Sequence, residues 1–589
     1  MVLLIIWILL QLIDSSLSKY IELEMEFDWI VVGGGSAGCV VASRLSEVPT
    51  ERVLLIEAGR DENILTDIPL LVSYVLATDY NWNYKTQSSN SACLSMNSRR
   101  CKWSRGKALG GTSVVNYMVY NRGFPQDYDL WAKLGNPGWS FQDVLPYFLK
   151  AENINIPALS GAKHFGKGGP INVEHPKWRT PLADAFLESA KALNYSVGDT
   201  DELTTNGMTY VFTNILNGAR QSSNKAYLRP NRNRQNLKIE IQAKALKIII
   251  DPVKKFAKAV EYLKEGKVFR VRARKEIILS AGSVNTPQLL MLSGIGPKRH
   301  LMQHGIKVIS DLAGVGQNLQ DHVSMAGLAF LINETISIID ERLFRLDYFV
   351  DYVLRGTGPY TLPGGSEAVG FAETKYNKVK GHPDIELVFG AGGLTGDIGN
   401  SLRISLNLNA TVCQSIYGPY EGRDAFSIVP ILLKPYSRGQ IKLASEDPMV
   451  YPKLYHNYYK DERDLKTMVQ GIRQAIQLGL GKGFQKYGSH LLSMPVAGCQ
   501  DLQLDSDEYW ACIARHFTTN LQHIVGTAKM GPDNDRLSVV DSRLKVKTIS
   551  NLRVIDGSIM PVIPAGHTHA IIVMIGEKGA DMIKQDWNL

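Results

Sequence analysis

Four apolar residues run without a break at 29–32 and again at Val53–Ile56, and Leu552-Arg-Val-Ile555 reads as a further buried strand with one charge inside it. Short unbroken apolar runs predict strands buried on both faces, as in a parallel sheet. Between the first two, Ala37, Val40, Val41 and Leu45 recur at helical spacing, which predicts a helix. Residues 237–250 and 269–280 read as two long strands joined through a basic turn. The second leads into a short helix with Pro287 near its first turn. Residues 326–515 mix strand and helix patterns and look like a separate layer built on the first. Residues 570–584 predict an apolar helix with Thr568 as its N-cap. The alternation of strand and helix predicts an α/β chain whose first part is Rossmann-like, a parallel sheet with helices.

The turn between the first strand and helix carries chemistry. It reads Gly33-x-Gly35-Ser36-x-Gly38, and Glu57 stands at the carboxyl end of the next strand, about twenty residues on. The first glycine permits a tight turn, and the second lets backbone N–H groups approach a pyrophosphate. The third lets helix and strand pack closely, and the helix N-terminus faces the anion. Glu57 is placed to accept the ribose hydroxyls. This spacing, with strand before and helix after, predicts a dinucleotide site and excludes a merely flexible glycine loop.

Composition narrows the class. The chain has 589 residues, 44% of them hydrophobic, with a formal net charge of +8. That is enough for a large core and several domains. The densest basic stretch, 220–234, has Tyr227 as its only ring and reads as a solvated face, which excludes a nucleic-acid partner. Residues 2–13 are apolar but too short to span a bilayer, and Ser16-Leu17-Ser18 offers small residues for cleavage. A signal peptide at 1–18 and secretion follow as expectations, with no stable membrane span afterwards. In an oxidising compartment two of the six cysteine positions pair locally with two others, Cys93 with Cys101 and Cys499 with Cys512. Cys39 reads as a packed apolar residue and Cys413 has no evident partner; no pair has zinc spacing. Three sequons, at Asn194, Asn333 and Asn409, fit a secreted glycoprotein.

Further motifs lie along the chain. A second glycine-rich loop, GKALGGTSVVN at 106–116, can lie against a flat polar ring, with Gly111 and Thr112 close to it and Asn116 hydrogen-bonding. The tail returns to dense motif: His523 before a Gly-Thr turn, Asp556-Gly557 at the end of a strand, and His567-Thr-His569 before the last helix.

Together these pieces resemble the glucose–methanol–choline oxidoreductase family, from about Phe27 to Ile583. The signatures are the loop at 106–116 and GSVNTPQLLMLSGIG at 282–296, and the finer resemblance is to an insect-type glucose dehydrogenase-like branch. The resemblance implies FAD. It also implies a second, α+β, substrate-binding domain with a mostly antiparallel sheet. The domains would run 26–325 for the FAD-binding region, 326–515 mainly for substrate and 516–586 for a return to the FAD domain. It places Gly33, Gly35, Ser36 and Gly38 at the pyrophosphate, Glu57 at the ribose, and Gly111, Thr112 and Asn116 along the flavin. Ala245 falls at the adenine, Asp556 and Gly557 at the pyrophosphate and ribityl, and His567 at the flavin. His523 and His569 match the two catalytic positions. Gln522, Ile524 and Ala528 depart from the usual aromatic, proline and cysteine, and His567-Thr-His569 stands where many relatives have Asn-Thr-Asn.

Alcohol oxidation takes a hydroxyl proton and a hydride from one carbon, so a base must stand beside the flavin. The resemblance implies His523 as that base, His569 as hydrogen-bond donor to the alcohol oxygen, and a sugar or an aromatic or terpenoid alcohol as substrate. Electrons would pass to oxygen or a quinone. His322 reads as structural. The rival reading is a non-redox or catalytically idle paralogue of the same fold, lyase-like or a binding protein, and the presence of both histidines counts against an idle one.

Overall fold

The computed structural model describes residues 21–199 and 207–589; the expected signal peptide lies outside these residues. Two sheets organise the chain. The first has the strand order Leu237–Glu240, Val53–Ile56, Ile21–Val32, Lys267–Leu279, Phe256–Lys264, Lys244–Asp251, with Leu552–Val554 beside the end of Lys267–Leu279. Its inner pairs are parallel and its Lys244–Lys264 side is an antiparallel hairpin. Trp29 to Val32 and Val53 to Ile56 are buried, as their unbroken apolar runs require.

Two readings of strand length are corrected. Residues 237–250 are two strands, because the chain breaks at Gln242, whose φ is +53°, and wraps over Glu57 and Gly59 through backbone bonds from Ala243 and Gln242. The basic segment after them is a strand, Phe256–Lys264, that buries Ala257, Ala259, Val260 and Tyr262 and presents its lysines outward.

Pro287 sits inside the helix Gly282–Leu292 rather than in its first turn. A proline there cannot donate to the carbonyl four residues back. That carbonyl, on Ser283, instead accepts the Thr527 hydroxyl at 2.7 Å, which ties the His523 turn to the first sheet.

The last helix, Thr568–Asp586, lies on the first, Ser36–Leu45. Gly576 makes the approach possible: a Cβ there would come 2.9 Å from the Cβ of Val40. Arg44 clasps the buried Glu577 across this interface, with Nη2–Oε1 at 2.8 Å, and Tyr227 donates to the same carboxylate at 2.9 Å. The N-cap of the last helix is His567, not Thr568, and no side chain caps it.

The second sheet is mostly antiparallel and draws strands from 196–197, 207–210, 323–331, 366–432, 490–491 and 518–520. Its centre is Ser366–Ala372, Ile385–Gly390 and Ala425–Leu432. One face of these strands packs under the helix Glu462–Gly479 and the other looks toward the first sheet's crevice. Disulfides join Cys93 to Cys101 and Cys499 to Cys512, with Cα atoms 5.6 and 5.9 Å apart. Cys39 is buried and unpaired, and Cys413 is half-buried and unpaired. Among the described residues no helix is long and apolar enough to cross a membrane.

Candidate active site

A cavity of about 490 Å³ runs between the two sheets. At one end lies the glycine turn, where each glycine has its own cause. Gly33 has φ +104°, and a Cβ on it would stand 2.4 Å from the Ser280 carbonyl oxygen. A Cβ on Gly38 would stand 1.9 Å from the Gly33 oxygen, so this glycine serves packing and does not line the cavity. A Cβ on Gly35 would meet no protein atom closer than 3.9 Å. The chain leaves that space open, directly before the Ser36–Leu45 helix, whose N-terminus has no side-chain cap and no acid in its first turn. Open space against bare N–H groups suits a pyrophosphate. Glu57 accepts from the Gly34 N–H at 2.8 Å and the Gly59 N–H at 2.7 Å. Burial nevertheless raises its pKa to about 7, outweighing those bonds.

The second glycine loop stands back to back with the first: a Cβ on Gly111 would be 2.5 Å from the Gly35 Cα. Thr112 accepts from the Gly106 N–H at 3.2 Å. The Asn116 amide oxygen accepts from Arg220 Nη1 at 2.8 Å, and Arg220 also donates to the carbonyls of Thr66, Ser113 and Asn116. The stretch 220–234 is therefore not a solvated face throughout. Arg220 and Tyr227 are buried, and Arg220 braces the loop from behind. Ala245 lines the cavity beside Lys244 and Trp82. Asp556 also lines it, but its carboxylate is taken up within the protein, by the Gly282 N–H (2.9 Å), the Thr286 hydroxyl (2.6 Å) and the Ser558 N–H (2.8 Å). Gly557 follows on the lining.

Three imidazoles meet further along. His523 Nδ1 lies 2.9 Å from His322 Nδ1, and its ring centre is 5.0 Å from that of His567 at 82°. The His523 backbone N–H donates to Asp321 at 2.8 Å. Gln522 before it has φ +62°, and its carbonyl accepts from Arg105. His567 Nε2 is 2.8 Å from Glu386 Oε1. His569 lines the same cavity, yet its Nδ1 is 3.0 Å from the Asn214 amide oxygen and its Nε2 is 3.2 Å from the Ser223 hydroxyl. The ring packed against His523 is thus that of His567, while His523 and His569 line the same cavity. An imidazole has two nitrogens, and both of those on His569 are engaged by the protein. Burial, with His567, His322 and Arg105 nearby, holds His523 well below the ordinary histidine range. Burial takes His322 to about 3 and His569 to about 4.

Residues 27–324 and 435–576 match the two family models described as GMC oxidoreductase. The chain belongs to the GMC oxidoreductase family. It is 40% identical to glucose dehydrogenase [FAD, quinone] of Drosophila melanogaster over 96% of this chain and 88% of that protein. It is 34% identical to ecdysone oxidase of Bombyx mori over 96% of this chain and 82% of that one. Formate oxidase of Aspergillus oryzae RIB40, a solved structure, superposes with a TM-score of 0.83 at 29% identity, covering 96% of this chain and 99% of the other.

Motif reading of this GMC oxidoreductase gathered most of the cavity but passed over three groups. His322 was expected to be structural, and the reading did not foresee that it touches His523. Asp321 also takes the Tyr458 hydroxyl at 2.5 Å and the Asn520 amide at 2.8 Å. Glu386 left a signal that reading could have used: it is the one acid in the apolar strand Ile385–Gly390, where an unpaired charge would be costly.

Proposed function

We propose that this GMC oxidoreductase is a secreted FAD enzyme that oxidises the CH–OH group of an alcohol, with His523 as the general base. The observation that carries the reading is the contact of His523 with His322 and His567, where His523 and His567 line the same cavity as Gly33 and Gly35. The open cradle at Gly35, the bare helix end and the loop at 111–116 fit the dinucleotide and ring of FAD. When bound, FAD accepts the hydride at N5.

The chain's own residues handle the proton. Two Nδ1 atoms at 2.9 Å require that one carry the hydrogen. With His523 as donor to His322, the lone pair of His523 sits on Nε2, ready for the hydroxyl proton. Glu386 fixes His567 Nε2 as a donor and so sets the orientation of the ring, which leaves Nδ1 of the neutral imidazole as an acceptor. His567, packed against His523, takes the positioning place that sequence resemblance gave to His569. The His569 ring is held by Asn214 and Ser223. A base so placed contributes about 10²–10⁴ in rate. From a bound FAD, electrons would pass to a quinone-type acceptor, as the Drosophila relative's name suggests, or to oxygen. Two disulfides support an oxidising, extracellular location.

The test is spectroscopic. The purified protein is expected to be yellow, and its absorbance at about 450 nm to fall when the right alcohol is added without oxygen. A yellow protein that no alcohol bleaches would favour an idle paralogue.

The pH dependence follows from the depressed imidazoles. The neutral form is the proton acceptor. A pKa lowered by burial keeps His523 neutral as pH falls through about 6.5, where a solvated histidine would charge. The rate of anaerobic reduction at low alcohol concentration is therefore expected to show no inflection between pH 8 and 6, and to decline only in more acid buffer. A titration centred near 6.5 would contradict the buried geometry.

A further inference from the structure

The substrate arm of the cavity has a readable floor. Along the strand Ile385–Gly390 alternate residues face the cavity and the core, as strand geometry requires. Leu387 and Phe389 pack in the core. Glu386, Val388 and Gly390 share the other face, and their cross-strand partners there are Ile431, Val429 and Ser427. The floor starts at Glu386, which holds His567, and ends at the Gly390–Ser427 pair, about 13 Å away at the rise of a strand. It is aliphatic in the middle and empty at its end. A Cβ on Gly390 would meet nothing closer than the Gly365 oxygen at 3.7 Å, and Gly390 is not among the glycines with positive φ. Neither packing nor backbone strain explains the glycine; open space in the cavity does.

Several polar side chains around this arm already have partners within the protein. Ser427 donates to the Gly392 carbonyl (2.9 Å), Tyr417 to that of Gly327 (2.8 Å) and Ser405 to that of Leu402 (2.8 Å). Asp397 accepts the N–H groups of Leu402 and Arg403 and the Ser401 hydroxyl. A polyol entering here would lose its water against walls whose hydrogen bonds are already made. The mouth continues the theme. Leu343 and Phe344 line it, and the next helix, Leu346–Arg355, has no buried residue and leaves Leu346, Phe349, Val353 and Leu354 open to solvent. Such a contiguous apolar strip marks a surface that receives apolar matter.

We propose that the alcohol is bulky and largely apolar, of isoprenoid size, with a single reactive hydroxyl, and that Gly390 sets how far its body extends from the histidines. This rests on the reading of the site as an alcohol-oxidising one. The holoenzyme is reduced without oxygen by farnesol, by the five-carbon alcohol prenol and by D-glucose. The expected specificity constant is at least about a hundredfold higher for farnesol than for glucose. Gly390→Leu is expected to shift the farnesol-to-prenol ratio at least about tenfold toward prenol, and Gly390→Ala to shift it less in the same direction, with FAD content and thermal midpoint as in the parent. Farnesyl methyl ether, which has no hydroxyl to oxidise, is expected to perturb the flavin spectrum and to bind at least about tenfold more weakly to Gly390→Leu. Glucose outperforming farnesol, or an unchanged ratio in both folded variants, would overturn the proposal. If no alcohol reduces the flavin but the ether binds in this Gly390-dependent way, the apolar arm stands and the oxidation reading falls. An ether that does not bind the parent protein overturns the arm itself.

Discussion

His523→Ala is expected to keep its yellow cofactor and to be reduced by alcohol at least a hundredfold more slowly, out to about 10⁴-fold. The reason is positional. The ring is buried, its Nδ1 is taken by His322, and its backbone is anchored by Asp321. Removing it leaves His567 in place but takes away the proton acceptor. Rapid mixing under anaerobic conditions separates this step from reoxidation. A reduction rate within a few-fold of the parent would assign the base elsewhere, and the parallel variant at His567 would then be decisive. His569→Ala is the contrast: its nitrogens are engaged by Asn214 and Ser223, so its effect should be smaller than that of either.

Gly35→Val and Gly38→Val are expected to fail in different ways. At Gly35 the φ is −81° and the nearest atoms to a Cβ are 3.9 Å away. The protein tolerates the side chain, but the methyl groups occupy the space before the helix N-terminus where a pyrophosphate would lie. The variant should fold, with far-ultraviolet dichroism like the parent's, and be colourless. At Gly38 the Cβ would overlap the Gly33 carbonyl at 1.9 Å. Strand and helix must then separate in the buried core, so that variant should be recovered poorly or as aggregate. A yellow, active Gly35→Val would remove the dinucleotide from this cradle.

What the sequence made legible was local. The Gly33–Gly38 turn, its flanking strands and Glu57 are close in the chain, and their periodicities and spacing encode one supersecondary unit. The two disulfides were legible for the same reason. What escaped depends on contacts between distant segments. Nothing near His322 in the chain indicates His523, and the His567 and His569 rings diverge because one meets a strand acid and the other meets Asn214. Motif position alone could not choose between them. The strand Phe256–Lys264 was hidden by its lysines, which sit on the exposed side of a half-buried hairpin. Gly390 carries no motif at all; its meaning is the empty volume above it.

The clasp between the last helix and the first has a consequence for biogenesis. The cradle of glycines leaves the ribosome early, whereas the bases leave it some five hundred residues later, on the segment that must still dock against Ser36–Leu45. A nascent chain therefore holds the glycine turn long before it holds any means of deprotonating an alcohol, and the Asp556–Gly557 part of the cavity arrives with the histidines. Catalytic competence arrives only when synthesis is nearly done and the two ends have closed on each other.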